Sequence, residues 1–336
     1  KIGARVDGAM TVLKIAIVVF VVIVGFFYVK ASNFTPFIPP SQPAAATTGD
    51  GAVSAQMAQP LWQWATGMTP SIYGVPGILS GAALVFFAFL GFDVVATASE
   101  ETKNPHKNVP LGIGVGMLLI IVMYMLVAIV TTGMVSYKDL AKQDSPSLAT
   151  AFELVGADWA AKIISFGIVL GLATVIMVLL LGLTRIVFAM SRDGLLPRGL
   201  SKTGKHGTPA VLQIVVGVVV ALVAALFDIG VLSDMVNIGT LSAFTLVAIS
   251  IPIMRKKRPE LPRAFRMPGN PCVPILIALA NFWLMLNLSV LTWIRFLVWL
   301  VIGFAIYFSY GYWHARLGKG DLSETLSDET DRAVNG

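Results

Sequence analysis

One apolar segment combines features that neither a soluble core nor a simple membrane anchor needs. Residues 77–98 are long enough for one membrane crossing, because about 20 apolar residues rising 1.5 Å each span the hydrocarbon core. Gly91 and Asp93 lie in the inner half of this segment. Glycine weakens a helix, and an ionised aspartate inside the bilayer costs roughly 2.5–3.5 kcal/mol on insertion scales. The segment therefore predicts a broken membrane helix, the element around which secondary transporters build their binding sites.

The composition is that of a protein that crosses the membrane several times. Hydrophobic residues make up 56% of the chain and charged residues 12%, whereas a soluble domain has roughly 25% charged residues. Apolar runs predict eight spans, at residues 10–29, 77–98, 111–135, 160–190, 210–227, 231–253, 272–294 and 296–313. The predicted fold class is therefore an all-α polytopic membrane protein. An even number of spans places both ends of the chain on one side.

The distribution of basic residues predicts the orientation of these spans. Lysines and arginines are concentrated in alternate loops, and the opposite loops hold only Lys30, Lys138, Lys142, Lys162 and Arg295. Because basic loops stay in the cytoplasm, both ends of this multi-pass chain of the cell membrane are predicted to be cytoplasmic. The same pattern explains the net charge of +6 without a nucleic-acid partner. The basic run at residues 255–258 is an orientation anchor or a site for anionic lipid.

Metal and enzyme chemistry is not indicated by the sequence. The single cysteine, Cys272, excludes an intramolecular disulfide and a cysteine-based metal cluster. The histidines His106, His206 and His314 lie in predicted loops or flanks without the spacing of metal ligands. No nucleophile and base arrangement is visible, so we expect neither catalytic residues nor a bound cofactor.

The chain divides into a transmembrane domain at residues 1–313 and a polar cytoplasmic tail at residues 314–336. The domain includes an extracellular loop at residues 31–73, which is rich in small and polar residues and lacks a sustained period. Trp62 and Trp64 in this loop are interfacial anchors or, alternatively, ligand contacts.

Small residues predict where helices pack closely. Glycines spaced by four, at Gly112 and Gly116 and at Gly167 and Gly171, allow two helices to approach each other. The last two spans contain few ionisable residues and are predicted to join at Arg295 through almost no loop. In this interpretation they form a peripheral hairpin.

Three motifs point to one transporter family. Residues 86–113 read FFAFLGFDVVATASEETKNPHKNVPLGI, which resembles the sixth helix and following loop of the cationic amino acid transporter branch of the amino acid, polyamine and organocation superfamily. Supporting matches are residues 6–20, which read VDGAMTVLKIAIVVF, and residues 183–197, which read LTRIVFAMSRDGLLP and precede a Thr-Pro pair. The resemblance extends from the start of the chain to about Arg266.

This resemblance implies a fold of twelve helices, the first ten of which form two inverted five-helix repeats in a LeuT-like arrangement. By its motifs the chain corresponds to helices five to twelve, with helices one to four missing. The implied function is secondary active amino acid transport by alternating access, coupled to H⁺, in which the missing N-terminal helices hold the substrate carboxylate. The alternatives are an amino acid exchanger and a non-transporting sensor or subunit of the same fold. A channel is disfavoured because polar pore-lining residues are scarce.

The resemblance also assigns residues that bind the substrate. Phe87, Ala88 and Leu90 match the positions where carbonyl groups at a helix end receive the substrate ammonium, which suits the negative end of the helix dipole. Phe87 additionally offers an aromatic face to the ligand. The alternative is a glycine kink whose backbone groups are satisfied by neighbouring helices.

Three further residues match family positions. Asp93 caps the second half-helix, or it organises the pocket and carries a proton. The resemblance implies that Lys14 carries the coupled proton, since an apolar environment favours a neutral amine; the alternative is that it snorkels to the cytoplasmic interface. Met177 matches the floor of the side-chain pocket, where it disfavours a long guanidinium tail, or it simply fills the core.

Overall fold

The computed structural model of the protein describes residues 2–43, 56–68, 71–92, 104–143, 146–197, 199, 210–259 and 269–314. The main helices are α1 (Ile2–Phe26), α2 (Leu61–Thr66), α3 (Gly74–Val85), α4 (Pro105–Met134), α5 (Tyr137–Leu140), α6 (Leu148–Leu154), α7 (Asp158–Arg192), α8 (Ala210–Leu226), α9 (Ile229–Lys257), α10 (Cys272–Leu286) and α11 (Val290–Ile306). A π-helical turn, Tyr307–Gly311, and α12 (Tyr312–His314) continue α11. Two short strands, β1 (Gln42–Pro43) and β2 (Ser71–Ile72), pair antiparallel.

Within the described residues, eight apolar helices match the predicted membrane spans. Five are long and apolar enough to cross a membrane: Gly8–Phe26, Lys107–Met134, Asp158–Arg192, Ile229–Lys257 and Val290–His314. Three shorter apolar helices are Gly74–Phe89, Val211–Leu226 and Cys272–Leu286. The prediction of an all-α polytopic membrane protein is confirmed.

The boundary between the last two spans differs from the prediction. Residues 287–289 separate α10 from α11, so the chain turns there rather than at Arg295, which lies inside α11. The Ser289 side chain accepts a hydrogen bond of 3.2 Å from the backbone N–H of Thr292. This bond caps the start of α11, which is why the helix begins where it does.

Contacts between residues divide the chain into two compact units. The first comprises Lys1–Pro40 and Gly91–Leu179, and the second comprises Ser41–Leu90 and Leu180–Gly336. Phe152 and Ile164 are fully buried in the core of the first unit, where Val21 of α1 and Val130 of α4 pack with them. Burying a side chain of the size of Phe152 stabilises the fold by roughly 1.5–3 kcal/mol.

The core of the second unit joins the broken segment to two other helices. Ile238 and Leu241 of α9 are fully buried and pack in one cluster with Ala83 of α3. Met285 and Leu288, from the end of α10 and the turn that follows it, belong to the same cluster. The end of α3 is therefore held by apolar contacts inside its own unit.

The two predicted glycine pairs behave differently. A Cβ placed on Gly167 of α7 would lie 3.1 Å from Cγ1 and 3.2 Å from Cγ2 of Ile17, which confirms a close approach of α1 and α7 at this point. At Gly112 and Gly116 a Cβ would meet no described atom within 4 Å. For that pair, close packing stays a prediction.

The predicted extracellular loop, residues 31–73, contains regular elements that its composition did not indicate. Its described parts include a 3-10 turn, Ala31–Phe34, together with α2 and the β1–β2 pairing. α2 is fixed to the turn between α10 and α11 by two backbone hydrogen bonds. Leu61 donates to the carbonyl of Leu288 at 3.0 Å, and Val290 donates to the carbonyl of Gln59 at 3.1 Å.

The two tryptophans of α2 have different surroundings. The indole N–H of Trp62 donates to Oδ1 of Asn287 at 2.9 Å, and the ring stacks on that of Trp283 with centroids 6.3 Å apart. Trp62 therefore packs against protein. Trp64 is 54% exposed, as an interfacial anchor would be.

Candidate functional site

The helix break predicted at Gly91 is present in the structure. α3 is 12 residues long and so rises about 18 Å, slightly more than half of the roughly 30 Å hydrocarbon thickness. A single 3-10 turn, Phe86–Phe89, follows it, and Leu90 is extended with φ −66° and ψ 147°. Gly91 then adopts φ +114°, which side-chain-bearing L residues rarely adopt. Glycine therefore permits the chain to leave the helix here.

Of the three residues predicted to receive the substrate ammonium, Phe87 and Ala88 lie on this turn and Leu90 follows it directly. The carbonyl of Phe87 accepts a hydrogen bond from the N–H of Leu90 at 3.2 Å, and a carbonyl oxygen retains a second lone pair after one such bond. The Phe87 side chain is 44% exposed, Ala88 is exposed and Leu90 is half-buried. Asp93 lies outside the described residues.

Asn237 and Phe244 of α9 contact the end of α3. The Nδ2 of Asn237 donates to the carbonyl of Leu84 at 3.3 Å, and the rings of Phe86 and Phe244 meet edge to face with centroids 6.2 Å apart. Sequence patterns assign no substrate role to Asn237 or to the nearby Asp234, and they suggest for Asn237 only a bond to another helix. A neutral amide inside an apolar span was the available signal, because such a group requires a partner.

Lys14 lies on α1 in the first unit, where it is half-buried against α7. A Cβ placed on Gly171 would be 3.9 Å from Cε of Lys14. Met10, Leu13, Ile17, Gly167 and Leu170 line the same shallow recess. In the described part of the chain Lys14 has no acidic side chain within ion-pair distance.

Met177 also lies on α7 in the first unit. Its side chain is 46% exposed, so it does not fill the core of that unit. One turn earlier, Thr174 is buried and its hydroxyl donates to the carbonyl of Gly171 at 2.8 Å. The apolar Met177 side chain is thus on a face of α7 that the first unit leaves open.

The known proteins that this chain resembles are permeases and transporters. The sequence profile of the amino acid permease family matches residues 1–311. Over 320 residues the chain is 41% identical to the branched-chain amino acid permease BcaP of Bacillus subtilis and 38% identical to the methylthioribose transporter of that organism; both alignments cover 95% of this chain and 62% of the relative. Over 191 residues it is 44% identical to the mitochondrial cationic amino acid transporter 3 of Arabidopsis thaliana, covering 56% of this chain and 31% of the relative.

The chain thus spans 62% of the length of the first two relatives. The matched family consists of permeases and transporters, which agrees with the apolar helices and with the expectation that the protein is not an enzyme. The family profile covers all of the described helices except the last three residues. This chain belongs to the amino acid permease family, within the amino acid, polyamine and organocation superfamily.

Proposed function

We propose that the protein carrying this chain is a secondary active amino acid transporter that works by alternating access and is coupled to protons. The break after α3 carries this proposal. A lone anchor gains nothing from a helix that stops after 12 residues and continues as an extended residue and a glycine at positive φ. Substrate sites of secondary transporters, in contrast, are built from such half-helices.

The end of α3 supplies the chemistry for a substrate ammonium. The helix dipole places partial negative charge at this end, and the carbonyls of the turn Phe86–Phe89 follow directly. In the proposal the carbonyls of Phe87, Ala88 and Leu90 accept hydrogen bonds from the ammonium, and the exposed Phe87 ring covers the ligand. For Asp93, which lies outside the described residues, we propose the role that the resemblance implies, a carboxylate that caps a second half-helix or organises the pocket.

The substrate carboxylate needs a second partner. The resemblance assigns that role to backbone N–H groups of a helix that precedes the matched ones. The relatives are longer than this chain, and we propose that the complete protein holds the substrate between both parts. Both ends of the present chain lie on the cytoplasmic side in this proposal, because the basic loops do.

Lys14 is the proposed site of proton coupling. Its side chain is half-buried and lines an apolar recess beside Gly171, where Cε lies 3.9 Å from a Cβ placed on that glycine. In the proposal this lysine carries the coupled proton, as the resemblance implies for this position.

We propose that the substrate is a small or apolar amino acid. Met177 shortens the side-chain pocket, and a thioether offers no partner for a guanidinium. The name of the BcaP relative, a branched-chain amino acid permease, is consistent with this choice, whereas the Arabidopsis relative is named for cationic amino acids.

Uptake by the complete protein in proteoliposomes tests the proposal. Radiolabelled alanine or valine should accumulate when the outer solution is more acidic than the lumen, and a protonophore should abolish the accumulation. Uptake that requires an amino acid inside the vesicle and ignores the pH gradient would identify an exchanger. Binding without any uptake would identify a sensor and contradict the proposal.

A further inference from the structure

Asn237 is a polar side chain that is as deeply buried as the apolar core residues beside it. It lies on α9 within a membrane span, and its relative exposure is 0%. An amide buried in this way is desolvated on all sides, so its effect depends on the bonds that it makes.

The donor half of the amide is bonded to the broken helix. Nδ2 donates to the carbonyl of Leu84 at 3.3 Å, and Leu84 lies one residue before the end of α3. The contact is to the backbone, so it fixes the position of the helix end whatever side chain Leu84 carries. The 3-10 turn Phe86–Phe89 begins two residues later.

Two apolar contacts between α9 and the end of α3 lie beside the hydrogen bond from Asn237, on the same face of α9. Leu241 packs in one cluster with Ala83, and the ring of Phe244 meets the ring of Phe86 edge to face. Asn237, Leu241 and Phe244 are separated by four and three positions, which places them on one side of a helix. This face of α9 is the surface on which the end of α3 rests.

The acceptor half of the amide has no matching contact. Oδ1 of Asn237 is buried and has no hydrogen-bond partner among the described residues. The penalty for a desolvated, unpaired oxygen opposes the gain from the bond to Leu84, so the amide contributes less to the free energy of global unfolding than a fully bonded amide would, while the local bond to α3 remains. The amide fixes the position of the Leu84 carbonyl relative to α9. A leucine of similar size would fill the space but would remove this contact between the helices, and the Leu84 carbonyl would keep only its backbone donor, the N–H of Phe86.

We infer that Asn237 is a positioning residue of the substrate site, which holds the Leu84 carbonyl and through it the turn Phe86–Phe89 in the geometry that receives the ammonium. This inference rests on the proposed function. Because Asn237 acts on the ammonium end, its loss weakens the binding of alanine and valine to the same extent. It does not change the preference between side chains.

The first test measures the turn itself, without a substrate. Hydrogen exchange of a peptide covering residues 82–92 should become about tenfold faster in Asn237→Leu of the complete protein, as expected when a contact of one net hydrogen bond is lost. Thr292→Val is the matched control. Thr292 is also fully buried and donates to Asp234 of α9 at 3.0 Å, so the control removes an interhelical bond from the same helix at another contact.

The second test measures affinity by calorimetry with alanine and valine. Asn237→Leu should raise Kd for both ligands about tenfold, whereas Thr292→Val should stay within twofold of the wild type. Wild-type affinity in Asn237→Leu, or equal losses in both variants, overturns the inference. A wild-type protein that binds no amino acid rejects the proposed function instead, and the exchange experiment still decides the role of Asn237.

Asn237→Asp provides an answer if the leucine variant does not fold. An ionised carboxylate cannot donate to the Leu84 carbonyl, but a protonated one can. Its Kd relative to that of the wild type should therefore be raised at alkaline pH and should recover as the pH falls. A Kd ratio that rises as the pH falls overturns the inference.

Discussion

Ile17 of α1 and Gly167 of α7 lie so close together that no side chain fits at position 167 without displacing Ile17. One turn further along α7, Gly171 is different. A Cβ there would meet its nearest described neighbour, Cε of Lys14, at an ordinary contact distance of 3.9 Å. Two glycines one helical turn apart therefore differ in what they allow: position 167 has no room for a side chain, whereas position 171 has room for a methyl group.

Alanine substitutions should separate these two glycines. Gly167→Ala should lower stability by roughly 1–3 kcal/mol through overpacking, whereas Gly171→Ala should be neutral or stabilising by up to about 1 kcal/mol through helix propensity. Thermal unfolding in detergent measures both. Ile17→Ala combined with Gly167→Ala should recover most of the loss, and additive losses in the double variant would contradict the contact.

Trp62→Phe should destabilise the contact between α2 and the α10–α11 turn. The change removes the donor to Asn287, which is only 4% exposed, and leaves its Oδ1 without that partner at a cost of about 1–3 kcal/mol. Trp64→Phe, at the exposed position of the same helix, is the control and should change stability by less than about 0.5 kcal/mol. Equal melting temperatures for the two variants would show that the bond contributes nothing.

The broken helix was predictable because its signal is local. Gly91 and the apolar run before it are adjacent in sequence, and the structure places the break where glycine permits it. The turn between α10 and α11 had a local signal as well, because Ser289 caps the start of α11. This signal was missed because the apolar run continues on both sides of it. Composition located the membrane spans better than it located their ends.

The contacts of α2 and α9 were not predictable from sequence patterns. Trp62 and Asn287 are 225 positions apart, and Asn237 is 153 positions from Leu84. Bonds between such distant residues depend on how the helices pack, and no period or motif encodes that packing. A buried amide indicates that a partner exists, but it does not identify the partner.

Lys14→Ala should abolish uptake driven by an imposed pH gradient while amino acid binding is retained, because only the coupling amine is removed. Lys14→Arg should fail as well, since a guanidinium does not release its proton at ordinary pH. A lysine that only snorkels should tolerate the arginine. pH-driven uptake in proteoliposomes distinguishes the two, and accumulation at the wild-type level in either variant would reject the coupling role.

Met177→Ser should broaden the range of substrates toward longer side chains. The smaller residue deepens the pocket that methionine floors in the proposed site, so arginine should compete with labelled alanine more strongly than in the wild type. Met190→Ser, at another exposed methionine of α7, is the control for removing a thioether from this helix. If arginine is already the best competitor for the unmodified protein, the argument from Met177 is wrong.

Gly91→Ala tests the link between the broken helix and transport. At φ +114° an alanine is strained by about 1–3 kcal/mol, and the chain relieves this strain by moving the residues that precede it. The turn Phe86–Phe89 then loses the geometry that receives the ammonium, so affinity should fall by about tenfold or more, given that 1.4 kcal/mol corresponds to a factor of ten.

Gly81→Ala is the matched control, because Gly81 lies in the regular part of α3 and a Cβ there would meet no described atom within 4 Å. Equilibrium binding of alanine to the complete protein measures both variants. If Gly91→Ala binds as well as Gly81→Ala does, the shape of the break is not what holds the substrate, and the ammonium site belongs elsewhere in the protein.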